Sequence, residues 1–241
     1  MAATIKLGNK EWAAKKDSLL AYNDENNNFK PLPFDFTRAS SATYIGDDGL
    51  IKTSTTAQPR IDFADNTDGH LLLEPARTNV ITYSEKIGSN GFQEINSTIV
   101  ADQTTSPDGT QNADLLKEDT ALNTHFLFKD FNLSNGQAYS ISVFAKSNGA
   151  NRNLRLDGGG VGWASNFGVS FDLTNGTASS GGVIESVGSG WFRCSVTATT
   201  NATTSRLLVY SILNSTTSYT GDGSSGVFLY GFQIEAGSYP T

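Results

Sequence analysis

From Phe92 onward, apolar and polar residues alternate with a period of two, and Gly, Asn, Asp and Ser interrupt the alternation at short intervals. FQEINSTIVA, NADLLKE, THFLFKDFNL, QAYSISVFAKS, RNLRLDG, NFGVSFDLTNG, GTASSGGVIESVG, WFRCSVTATT, SRLLVYSILN and GVFLYGFQIE all carry this pattern. Successive side chains on a strand point to opposite faces, so ten such runs within residues 92–241 predict an antiparallel two-sheet sandwich of the jelly-roll kind. In the fourth run Tyr139, Ile141, Val143 and Ala145 share one face. In the last, strict alternation places Val227, Leu229, Gly231 and Gln233 opposite Phe228, Tyr230, Phe232 and Ile234. No run repeats at a fixed period, which disfavours a solenoid or propeller.

Residues 36–91 read differently. ATYIG and GLIKT flank Asp47-Asp48 and predict a hairpin, and PRIDFAD and GHLLLEP, separated by a turn-rich stretch, predict a second. Together they predict a small irregular hairpin layer. Residues 1–35 read as an arm. Asn9 can cap a short helix, NKEWAAKKDSLLAY, with Trp12, Leu19 and Leu20 toward one face. Pro31 and Pro33 then favour an extended path. Three segments are thus expected: arm 1–35, connector layer 36–91 and sandwich 92–241.

Composition supports the all-β reading. Only 37% of the chain is hydrophobic and 17% charged, with 24 Gly and much Ser, Thr and Asn, residues that compete with helix hydrogen bonds. The 14 Phe, 8 Tyr and 3 Trp supply a core. The net charge of −7, without clustered Lys or Arg, argues against nucleic acid and an anionic membrane surface. No apolar run is long enough to span a bilayer, and the first residues lack a signal-peptide core. The expectation is a protein made and kept in a reducing cell, or released by a route other than general secretion. Cys194 is the sole cysteine, so no internal disulfide forms; its place in WFRCSVTA predicts a buried, inert thiol, and Trp191 reads as core.

Enzyme constellations are thin. His70 and His125 lie in no metal-binding spacing and read as surface or edge residues. Asp47-Asp48 and Glu118-Asp119 read as solvated turn carboxylates, leaving a glycan depolymerase as an alternative without a defined pair. Arg38, Arg60 and Arg77 read as loop-pinning residues, with Asp35, Asp62 and Glu74 as partners; an anion or glycan-acid site is the alternative. Glycan binding has a clearer candidate. RNLRLDGGGVGWASN brings Arg155, Asp157 and Trp163 to a Gly-rich loop, and Tyr219 offers a second ring. A sugar's apolar face stacks on an aromatic ring while charged and amide groups bond its hydroxyls. The alternative for Trp163 is a core or subunit-interface residue.

The run LLAYNDENNNFKPLPFDFTRASSAT, then GLIKT, PRIDF and LLLEPARTNVITYSE, resembles a block of bacteriophage tail-fibre and head-fibre proteins, where it precedes a jelly roll similar to carbohydrate-binding modules. YGFQIEAGSYPT is similar to the last strand and tail of those jelly rolls. The resemblance implies a non-enzymatic virion fibre or decoration subunit, made in the bacterial host cytoplasm and resident on the particle. It further implies a homotrimer, attachment to other virion proteins through the arm, and an outward-facing sandwich that binds a host surface glycan as its alternative role. No cofactor or metal is expected; the alternative is a structural calcium of the kind that jelly rolls similar to carbohydrate-binding modules carry, with Asp102, Asp108 and Glu235 as oxygen-bearing candidates but no EF-hand loop.

Overall fold

The computed structural model describes residues 36–241 in full and, before them, the backbone of three short strands, β1 (Trp12–Ala13), β2 (Ala21–Asn23) and β3 (Phe29–Pro31). These pair antiparallel in the order β1-β2-β3. The expected helix over residues 9–22 is therefore not formed at Trp12–Ala13 or Ala21–Tyr22, which are strands; Leu19 and Leu20 lie outside the described residues. β-Sheet pairing across the sequence has overridden a weak local helix signal, as it readily does in a segment too short to be stable alone. Among the described residues no helix is long and apolar enough to cross a membrane.

The chain divides into two compact units, Met1–Ala76 and Arg77–Thr241. In the first, β4 (Ala42–Ile45) and β5 (Ile51–Ser54) form the first expected hairpin. Its turn closes through the Gly46 amide on the Leu50 carbonyl and needs Gly49 at φ 76°, a conformation that favours glycine. β6 (Ile61–Asp62) and β7 (His70–Leu71) form the second. Two arginines bind these hairpins. Arg38 donates to the carbonyls of Ser40, Ser54 and Thr55, and Arg60, buried, donates to the Thr43 carbonyl and to Glu74 at 2.6 Å.

The second unit holds thirteen strands. They are β8 (Gln93–Ile95), β9 (Ser97–Thr105), β10 (Gln111–Glu118), β11 (Leu122–Asn132), β12 (Ala138–Asn148), β13 (Arg152–Asp157) and β14 (Gly168–Asp172), then β15 (Thr177–Ala178), β16 (Gly182–Gly188), β17 (Trp191–Thr199), β18 (Thr204–Leu213), β19 (Ser218–Thr220) and β20 (Gly226–Ala236). They make an antiparallel sandwich. One sheet runs β16-β17-β12-β20-β10-β9; the other runs β15-β14-β13-β18-β11-β19, with β8 also on β11. Leu127, Leu154, Leu156, Phe171, Leu207 and Val209 of one sheet meet Leu116, Ile141, Val143, Cys194, Leu229 and Phe232 of the other in the core. Every expected run holds a strand, FQEINSTIVA and GTASSGGVIESVG hold two each (β8 and β9, β15 and β16), and β19 lies outside all ten. Trp191 and Cys194 are buried, and burial pushes the Cys194 thiol far up, which leaves it inert.

Strict alternation is broken by register shifts on β10, between β16 and β17, and on β20, where the effect on the core is clearest. Val227, Leu229, Phe232 and Ile234 all face the core, so β20 changes face at Gly231. The register against β12 slips between Ser142 and Phe144, and Gly231 has φ 62°, where a Cβ would sit 2.8 Å from the Phe144 ring. This is a bulge, and an added residue in one strand inverts every side chain beyond it.

β20 pairs with β12 along its length but with β10 only over Gly226–Leu229. Residues 79–84 take over as its neighbour. The Val80 amide donates to the Ile234 carbonyl, the Phe232 amide donates to the Ser84 carbonyl, and Ile81 and Ile87 enter the core. Asn79 sets the register, accepting from the Ile81 and Ile234 amides and donating to the Phe232 carbonyl at 3.0 Å. Removing this amide leaves backbone groups at the seam unpaired, so Asn79→Ala is expected to lower unfolding free energy by about 1–3 kcal/mol in urea melts. Arg77 lies beside the seam, donating to the Tyr239 carbonyl with its guanidinium 4.1 Å from the Tyr239 ring centroid.

Candidate functional site

The two outward faces of the sandwich differ. That of the β12-containing sheet is largely covered. The Trp191 indole donates to the Thr105 carbonyl, Tyr230 donates to Asp108, and Arg193 and Thr197 bind the carbonyls of Thr241 and Ser238. The β9–β10 turn and the last residues therefore lie across it.

The outward face of the other sheet carries half-buried aromatic and charged side chains. On β11 the core-facing residues are His125, Leu127 and Phe131, which turns Phe126, Phe128 and Asp130 outward. On β18, Leu207 and Val209 point in, and Arg206, Leu208 and Tyr210 point out. The register sets Phe126 opposite Tyr210 and Asp130 opposite Arg206, and next sets Tyr210 opposite Arg155 and Leu208 opposite Asp157 on β13. Phe126 and Tyr210 rings are 4.7 Å apart between centroids, and Phe126 and Phe128 are 6.2 Å apart. The Arg206 guanidinium lies 4.9 Å from the Phe128 centroid.

The charges on this face are paired. Arg206 holds Asp130 bidentately at 2.7 and 2.9 Å, which lowers the carboxyl's pKa and raises that of the guanidinium. Arg155 donates to Asp157 at 2.8 and 3.1 Å and to the Ser170 hydroxyl, and Asp157 also accepts from the Gly159 amide. Burial, and then the Asp157 charge, push the Tyr210 phenol up, so it is a neutral donor at physiological pH. Gly168 makes room for this arrangement: a Cβ there would sit 1.8 Å from Arg155 Nη2 and 2.7 Å from Asp157 Oδ2. Gly168→Ala should therefore displace the Arg155–Asp157 pair with only a small loss of thermal stability, because side-chain ends and no backbone must move. The check is a melting curve beside a crystal structure of the variant.

Of the residues proposed from sequence, Arg155 and Asp157 stand together on this face. Trp163 and Tyr219 do not, and neither offers a ring to a ligand. Trp163 is buried, with its indole donating to the Arg206 carbonyl at 2.6 Å and its edge against Phe167; it props β18 from beneath. Tyr219 is buried at one end of the sandwich, where its hydroxyl donates to Glu118 at 2.7 Å. Glu118, expected as a solvated turn carboxylate, and His125, expected as a surface or edge residue, are fully buried. The Glu118 carboxylate accepts from Arg152 at 2.7 and 2.9 Å and from the Asp222 amide, and His125 lies between the Asn96 and Tyr219 carbonyls with its ring against Tyr219. Every polar group in this plug is held by another, which marks it as structural.

Among the described residues no three His, Cys, Asp or Glu side chains converge as a metal site. Asp102 sits on β9 with φ 56°. Glu235 accepts from the Thr241 amide and hydroxyl. Asp108 accepts from Ser106, Thr110, Asn112 and Tyr230; burial alone would raise its carboxyl, but these donors bring it to about 2.

Phe126, Phe128, Tyr210, Arg206 and Asp130 were not singled out in the sequence. The signal was present: THFLFKDF and LLVYSIL have large apolar residues at consecutive positions, so both faces of those strands are apolar although only one can join the core.

No family model matches the chain, and no curated protein does. Among solved structures it is similar to TmCBM61 in complex with β-1,4-galactotriose, at 10% identity and a TM-score of 0.44, over 66% of this chain and 99% of that one. It is also similar to the CBM22-1–GH10 modules of Clostridium thermocellum endo-1,4-β-D-xylanase 10B complexed with xylohexaose, at 13% and 0.39, over 69% of this chain and 29% of that one. A third similarity is to a carbohydrate-binding module from the β-sandwich superfamily, at 12% and 0.38, over 93% and 97%. The sugars named belong to those proteins.

Proposed function

We propose that the second unit is a non-catalytic glycan-binding module whose site is the open face of β13, β18 and β11. The observation that carries this reading is the outward set of Phe126, Phe128 and Tyr210 beside two arginine–aspartate pairs. The rings supply apolar surface for the C–H face of a sugar, and the paired charges, held rigid, supply donors and acceptors for its hydroxyls. Binding of the whole protein to an array of neutral and acidic glycans tests this; absence of any signal above background, with the protein folded, overturns it. A reducing-end assay on the bound glycan is expected to show no cleavage.

On the resemblance to phage fibres alone we further propose a particle-borne setting: a trimer, anchored by residues 1–35, with the module facing outward toward a host surface glycan. Light scattering and the location of density on a purified particle check mass and placement. A monomer in solution, or absence from the particle, removes that setting without touching the binding face.

A further inference from the structure

Beyond the aromatic zone, the same open face runs into a cleft of about 450 Å³ between β13, β14, β15 and the β18–β19 turn. We propose that this cleft is a second subsite, which takes the end of an oligosaccharide whose middle lies on Phe126 and Tyr210, and that it selects a neutral sugar. The proposal rests on the glycan-binding reading and names its substrate class.

The cleft and the aromatic zone are continuous. Asn153, Arg155 and Asp157 share the outward side of β13, and Ser170, which lines the cleft, accepts from Arg155 at 3.3 Å. From β14 across β13 and β18 to β11 is three strand spacings, about 14 Å, the reach of a short oligosaccharide and not of one sugar.

The cleft floor is fixed. Asn153 is buried, accepts from the Leu173 amide at 2.9 Å and donates to the Asn214 carbonyl at 3.0 Å. The Asn214 amide donates to the Asn151 carbonyl, tying the β12–β13 and β18–β19 turns together. Asn151 and Asn214 have φ 59° and 54°, conformations asparagine tolerates better than most residues. Their side-chain amides, with the hydroxyls of Thr174, Thr177 and Ser215, line the cleft and make no hydrogen bond among the described residues. These free amides and hydroxyls, set on a fixed backbone, offer the donors and acceptors that the hydroxyls of a sugar ring require.

The same geometry decides the charge of the ligand. The one carboxylate in the cleft, Asp172, accepts from the Thr174 and Asn175 amides and from the Asn175 side chain, which hold it ionised and below the usual range. No cation lines the cleft, and Arg155, which reaches its Ser170, is committed to Asp157. A uronic or sialic acid would meet a fixed negative charge and no free cation, so an acidic glycan is disfavoured and a neutral one is not.

The test starts from the array's highest-affinity neutral oligosaccharide and its successively shortened forms. Asn151→Gly/Asn214→Gly removes both amides and keeps both backbones in their left-handed conformation. Affinity for the longest form should fall about five- to thirtyfold, while the shortest form that still binds is unaffected; Phe126→Ala should weaken every length. Should the double variant fold poorly, Thr174→Ala/Ser215→Ala and the amide shifts of Asn151, Asn175 and Asn214 in the titrated wild type read the same contact. Binding that Phe126→Ala abolishes but that neither double variant alters, with those amide shifts unmoved, overturns the subsite and leaves the glycan-binding reading standing. Tighter binding of acidic than of neutral glycans overturns the selectivity. No glycan binding at all overturns both.

Discussion

Arg152→Ala is expected to lower the free energy of unfolding by about 3–5 kcal/mol, a large part of the whole for a domain of this size. Glu118 is fully buried, and Arg152 is the only cation bonded to it among the described residues. Without the guanidinium the carboxylate keeps its bonds from Tyr219 and the Asp222 amide but loses its counter-charge. The cost is that of an uncompensated buried ion, not the net worth of the pair. Replacing both residues, as in Arg152→Met/Glu118→Leu, should therefore cost less than the single change. Urea melts of the three proteins decide this, and a loss below about 1 kcal/mol for Arg152→Ala would sink it.

The pH dependence follows with a defined sign. Burial raises the Glu118 carboxyl, but Arg152, the Asp222 amide and Tyr219 outweigh it, and the group ends below its usual range. A carboxyl depressed on folding adds stability above its unfolded pKa, about 4.3, and loses that contribution as pH falls toward the folded value. Asp108, at about 2, behaves likewise. The wild type should lose stability below about pH 4. In Arg152→Ala burial acts with less opposition, so Glu118 titrates higher and acid unfolding begins at a higher pH.

The second large effect concerns binding. Phe126→Ala and Tyr210→Ala are each expected to reduce glycan affinity at least tenfold, about 1.4 kcal/mol, and to alter stability much less than Arg152→Ala does. The rings are half-buried, lie tilted with centroids 4.7 Å apart, and point away from the core, so truncation removes contact surface without opening an internal cavity. Phe126→Tyr, which keeps the ring, should retain most of the affinity. Calorimetric titration with the array's best glycan separates the cases; full affinity in a folded Phe126→Ala/Tyr210→Ala protein would exclude this face.

Much of the fold was legible because the sandwich is built from half-buried strands, and period-two alternation encodes that directly. Both hairpins of residues 42–71 were legible as paired apolar runs around turn residues. What failed had non-local causes. Gly231 inverts β20 through a bulge, which alternation cannot anticipate. Glu118 looks like a strand-end residue beside Asp119, but its partner Arg152 is brought from another strand. Trp163 and Tyr219 lie in glycine- and serine-rich stretches that suggest exposure, yet each folds back on a distant carbonyl or carboxylate. Arg155 and Asp157 are legible as charged groups beside a Gly-rich loop, and the strand then sets them two apart on one face. The aromatic partners were missed because Phe126 and Tyr210 become neighbours only through the pairing of β11 with β18.

The seam at residues 79–84 has a consequence for the module as a portable part. A chain begun at Phe92 would lack the segment that closes β20, and would present the backbone of residues 230–236 to solvent as an unprotected edge. Such an edge recruits any extended strand, including that of a second molecule, and is a route to aggregation. A chain begun at Arg77 keeps the edge closed and retains Asn79, Ile81 and Ile87. For grafting onto another scaffold, the autonomous unit therefore starts at Arg77, well before its first strand at Gln93.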